Sequence, residues 1–120
     1  MATIARLIRA GIPPTWARML GRDAEDNITA TGATQGTAYQ ITKSFNNVTG
    51  GALNTGLILP AFSKDISNEF FFMNNSGSQK WVYPAVGEEI AGFGVNNPAG
   101  LVVTRTLYRI SETKWIGFGT

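Results

Sequence analysis

The run EFFFMNN, beginning at Glu69, constrains the fold more than any other stretch of the chain. Side chains on a strand alternate between two faces, so a strand with one wet face alternates apolar and polar residues. Phe70, Phe71, Phe72 and Met73 do not alternate. Both faces of this strand are therefore expected to be covered. A small domain has little material with which to cover both faces of a sheet. A second subunit is the natural cover, which makes Phe70, Phe71, Phe72 and Met73 the candidate oligomer interface. The alternative is a strand buried inside the chain's own two-layer core. Left open, such a run is an aggregation hazard.

The sequence around that run reads as β throughout. From Thr37 onward, short apolar segments end at turn signals: TAYQITKSF, GLILPAF, QKWVYP, GEEIAGFG, GLVVTRTLYRI and TKWIGFG. Tyr39, Ile41 and Lys43 alternate onto one face. Turn signals every ~8–12 residues predict about eight short strands in a small antiparallel sandwich or barrel, covering 37–120. Asn, Thr, Gly and Ser fill the polar positions, and charged residues are only 15% of the chain. That mix favours strands and turns. No internal repeat is apparent.

The first 22 residues differ. Ile4, Leu7 and Ile8 form one apolar stripe at helical spacing, and Trp16, Met19 and Leu20 form a second. Thr3 can cap the first helix, Gly11 and Gly21 can end the two, and the prolines at 13 and 14 suit the start of the second. Arg6, Arg9, Arg18 and Arg22 are there without a single acid, although the whole chain has a formal charge of only +2. Helices this short do not hold themselves in water. They are expected to dock, which makes 1–22 a helical attachment arm contacting a capsid or a neighbouring subunit. The polar, aperiodic segment 23–36 reads as a linker.

Catalysis finds little support. There is no histidine, so a Ser-His-Asp or Cys-His arrangement is impossible within one chain. There is no cysteine, which removes disulfides and thiolate metal sites. Glu88 and Glu89 are adjacent on a strand and point to opposite faces, so they cannot flank one bond. One is expected to solvate the surface while the other forms a salt bridge or caps a turn. GFGVNNPAG is not a dinucleotide fingerprint, because the third glycine fails and no helix follows. Nothing supports a catalytic Ser–Lys pair. No catalytic, cofactor or metal residue is therefore assigned, no cofactor and no small-molecule substrate is expected, and the chain is read as a non-enzyme. Trp81 and Tyr83 share a face, which fits either a core stripe or a ligand platform for sugars. The basic field is too narrow for nucleic acid to be the expected partner. No apolar run approaches the ~20 residues of a membrane span, so no membrane partner is expected. Arg6 and Arg9 interrupt any signal-peptide core, and an organelle transit peptide is a minor compositional alternative.

With these residues laid out, the chain resembles small structural proteins of tailed bacteriophages over about 36–120. The resemblance lies in LILP, FFFMNNSG, KWVYPAVGEEIAGFG, LVVTRTLYRI and ETKWIGF, taken in order. The opening TIARLIRAGIPPTWARML is similar to the short helical leader of such proteins. Phage versions often have small residues where this chain has Phe70 to Phe72. The resemblance implies a virion β-domain, often trimeric. The size and the lack of a fibrous shaft favour a capsid decoration or cement protein, made in the host cytoplasm and bound to the major capsid protein on the virion surface. A tail-fibre, spike or carbohydrate-binding module is the alternative. In the leading reading, Ile4, Arg6, Leu7, Ile8, Arg9, Trp16, Arg18, Met19, Leu20 and Arg22 make the contact with the shell or a neighbouring subunit. The corner KWVYPAVGEEIAGFG is expected to be structural, with Ile90 inward and Trp115 against the same core.

Overall fold

The computed structural model of the protein describes residues 23–119. The arm and its ten expected contact residues lie outside the described residues. Eleven strands are present among the described residues: β1 (Ala24–Thr29), β2 (Tyr39–Gln40), β3 (Phe45–Gly50), β4 (Gly56–Ile58), β5 (Glu69–Asn74), β6 (Lys80–Tyr83), β7 (Glu89–Ile90), β8 (Gly94–Val95), β9 (Ala99–Leu101), β10 (Thr104–Ser111) and β11 (Lys114–Gly119). The protein is mainly β, as the turn spacing predicts.

The pairing differs from the expected antiparallel sandwich or barrel. A seven-stranded sheet has the order β1-β3-β5-β10-β11-β7-β8, and a four-stranded sheet has the order β2-β4-β6-β9. Through β6 the chain alternates between the sheets, and within each sheet the successive strands pair in parallel. This is the winding of a short solenoid. The antiparallel β5–β10–β11 and β6–β9 pairings finish it. The sequence pattern missed this because short strands between turns look alike in both arrangements. What decides is whether each turn folds the chain back or sends it across to the other sheet, and here it sends it across.

The corners explain the crossing. Gly51 follows β3 with φ of 110°, and a Cβ there would lie 2.6 Å from the Ala30 carbonyl oxygen. Only glycine takes that turn at no steric cost. Pro84 ends β6 directly after Tyr83, because proline cannot donate to a ladder.

The linker expected at 23–36 is also corrected. Ala24–Thr29 is an edge strand of the larger sheet, and Ile28 and Ala30 are buried in the core. Asn27 sits at φ 55°, and the register with β3 shifts between Glu25 and Ile28. This irregularity destroys the period-2 pattern that would have announced a strand. TAYQITKSF is likewise not one strand: β2 stops at Gln40, although Ile41 is fully buried.

Inward side chains of both sheets make one core, including Ile28, Val48, Leu57, Phe70, Phe72, Val82, Leu101, Leu107 and Trp115. Phe70 meets the Trp115 ring edge-on at 5.7 Å. Ile90 and Trp115 are both fully buried, as the structural reading of that corner expects.

Candidate functional site

The larger sheet carries large apolar side chains on its outer face as well. Register places Ala24, Phe45, Phe71, Thr106 and Phe118 in one row across β1, β3, β5, β10 and β11. A neighbouring row holds Glu69, Tyr108 and Ile116, and another holds Asn47, Met73 and Thr104. Phe118 is 58% exposed, Ile110 57% and Met73 40%. Phe45 and Phe71 lie 6.4 Å apart, and Tyr108 meets Phe118 edge-on at 6.0 Å. The rings form two pairs on the same face with Thr106 in register between them, and clustered exposed apolar side chains of this kind are characteristic of contact sites.

The run Phe70–Met73 is therefore split by the pleat. Phe70 and Phe72 fill the chain's own core and have no surface to offer a partner. Phe71 and Met73 stand on the outer face. At the β1 edge, that face deepens into a groove of about 450 Å³ lined by Ala24, Glu25, Asp26, Phe45, Asn47, Phe71 and Met73, with Asn46 in its wall. Asp26 accepts a hydrogen bond from Asn47 Nδ2 at 2.7 Å, and Asn75 donates to Asn47 Oδ1 at 2.7 Å. Glu25 accepts from the Tyr39 hydroxyl. That hydrogen bond, with burial and the carboxylate's charge, raises the phenol above its ordinary pKa. Asn46 is buried, and its Oδ1 has no hydrogen-bond partner.

The adjacent carboxylates separate as strand geometry requires. Glu89 stays partly exposed, with Lys114 3.9 Å away. Glu88 is buried, and both its oxygens are engaged. Oε1 accepts from Arg109 Nη1 at 3.0 Å and from Trp115 Nε1 at 2.9 Å, and Oε2 accepts from the Phe62 N–H at 3.1 Å. Arg109 also donates to the carbonyls of Glu112 at 2.7 Å and Pro60 at 3.1 Å. Its guanidinium lies 4.2 Å from the Trp115 ring centroid. A carboxylate so occupied is a fastening between a loop and two strands.

Lys80 is a residue that the sequence reading overlooked. It is fully buried, and its Nζ lies 2.5 Å from Ser78 Oγ and 3.1 Å from the Ser78 carbonyl oxygen. Burial lowers its pKa. The bond to a carbonyl shows the amine acting as a donor that closes its own turn. Period 2 held the clue, because Lys80 shares a face with the core residue Val82.

Trp81 and Tyr83 lie together on the far side of the smaller sheet but do not form an open platform. Tyr83 is 8% exposed, and its hydroxyl donates to the Ala33 carbonyl at 3.3 Å. Trp81 is half-buried. Among the described residues, no three His, Cys, Asp or Glu side chains are grouped to hold a metal ion. No protein-family model matches the chain, and neither a curated protein nor a solved structure matches it.

Proposed function

We propose that this chain is a non-enzymatic structural protein of a phage virion, a trimeric capsid decoration or cement protein that binds the head shell. The observation behind it is the group of Tyr108, Ile110 and Phe118 left exposed together on the outer face of the larger sheet. Association through this group buries surface that the chain itself leaves wet. Apolar burial stabilises by about 25 cal/mol per Å². The start of the basic arm supplies a second contact, to the shell or to a neighbour, through Ile4, Leu7 and Ile8 with Arg6 and Arg9. The resemblance of the strand-end pattern to tailed-phage structural proteins supplies the virion as the setting.

A tail-fibre or spike component is the second reading. It is favoured by the parallel winding of β1 to β6, because coils of that kind can stack end to end. Quenching of Trp81 fluorescence by glycans would support it.

The test is the absolute mass of the purified full chain by light scattering. The expected mass is a trimer of the 12.9 kDa chain. Phe118→Lys with Tyr108→Lys should reduce it to a monomer that keeps its circular dichroism spectrum. A wild-type chain that remains monomeric at all concentrations overturns association through this face in free solution.

A further inference from the structure

We propose that the groove beside β1 is the docking site of this chain's own N-terminal segment, residues 1–22. The proposal is independent of the virion reading, because it rests only on the groove, the place where the chain enters it, and the charges.

The entry point comes first. The Asp23 carbonyl accepts a hydrogen bond from the Phe45 N–H at 2.8 Å. The junction with the segment is therefore pinned at β3, beside a ring that lines the groove. Chain reach is at most ~3.3–3.6 Å per residue, so Leu20 and Met19 lie within about 15 Å of Asp23. A tether this short gives an effective concentration on the order of millimolar, which a separate chain does not match in dilute solution.

The chemistry of the two partners is complementary. The groove has an apolar floor of Phe45, Phe71 and Met73 and the Asp26 carboxylate at its lip, while the Glu25 carboxylate is turned to the Tyr39 hydroxyl. Glu69 adds a second acid on the same outer face. The segment has four arginines and no acid, and its Trp16, Met19 and Leu20 fall at helical spacing on one side. Arg18 and Arg22 flank that apolar group, as a basic ligand for an acidic-lipped apolar groove requires. Docking here covers Phe45, Phe71 and Met73 and leaves Tyr108, Ile110 and Phe118 open. The outer face is thus divided between the chain's own segment and its partners.

Because the chain has no cysteine, one can be introduced at a single site. Thr106→Cys lies in register with Phe71 but outside the groove lining. A nitroxide there should broaden the amide signals of nearby residues in the full-length, isotope-labelled protein. Diluted into excess unlabelled chain, the doubly labelled protein should show the Trp16, Met19 and Leu20 amides more than halved in intensity. Adding Met73→Glu should restore them. No broadening overturns the proposal. Broadening seen only when the nitroxide is on a different chain overturns docking within one chain. Broadening that survives Met73→Glu overturns the groove as the site. None of these outcomes depends on whether the protein is a trimer or binds a capsid.

Discussion

The two faces of the seven-stranded sheet both carry large apolar side chains, with opposite fates. On the inside, Phe70 and Leu107 pair across β5 and β10, and Phe72 lies beside them. On the outside, Phe71 pairs with Thr106, which pairs in turn with Phe118. The inner row is sealed by the second sheet and by the fastening of Glu88, Arg109 and Trp115. The outer row has no such lid among the described residues. One strand therefore serves two purposes: alternate side chains build the fold, and the others present a surface. Hydrophobicity alone does not separate these uses; position in the pleat does.

The sharpest test of this division is a pair of truncations. Phe72→Ala empties a fully buried site and should cost about 3–5 kcal/mol of unfolding free energy. Phe71→Ala, one residue away, should cost about 1 kcal/mol or less. Urea denaturation of both variants gives the comparison directly. Equal losses would mean that the outer face is as covered in solution as the inner one. The next largest effect is expected at Glu88. Glu88→Gln keeps the shape but leaves the Arg109 charge buried and unpaired, which should cost about 3 kcal/mol. The same exchange at the partly exposed Glu89, with Lys114 3.9 Å away, should change stability by about 0.5 kcal/mol at most. A small loss at Glu88 would show that the inner polar fastening contributes little beyond shape.

Much of this was legible in the residues, and the exceptions have causes. The strand texture, the break at Pro84, the opposed directions of Glu88 and Glu89 and the inward Trp115 all follow from period 2 and from proline chemistry. The meaning of Phe70–Met73 was half legible. Period 2 predicts two covered faces; the chain's own second sheet, not a second subunit, covers the inner one, and the outer one is open in the single chain. Strand β1 was invisible because Asn27, at φ 55°, breaks its alternation. Parallel winding was invisible because pairing partners lie two strands apart in sequence, and no local signal records that. The groove was beyond reach for the same reason: Ala24, Phe45 and Phe71 become neighbours only through that winding.

Lys80 refines the comparison, because it is an inner polar residue whose partners are not acids. Glu88 meets a guanidinium, whereas Lys80 meets the hydroxyl and carbonyl of Ser78. Its lowered pKa means that burial disfavours the ammonium form in the folded chain. Between that lowered value and the ordinary 10.5, the unfolded chain binds more protons than the folded one. Stability contributed by this residue therefore rises with pH across that window, and below it the buried charge is a constant burden. Lys80→Met removes the charge and keeps an unbranched chain of similar length. It should be more stable than the parent at neutral pH by about 1 kcal/mol, as when buried ionic groups give way to apolar ones. The gap should narrow as the pH is raised toward 10.5, where the parent is relieved of its proton. Thermal unfolding of both proteins across that range measures it. A gap that does not change with pH would show that Lys80 titrates alike in both states. A destabilised Lys80→Met variant would show that the Ser78 contacts outweigh the burial, and that an uncharged partner secures the inner face as well as the guanidinium does at Glu88.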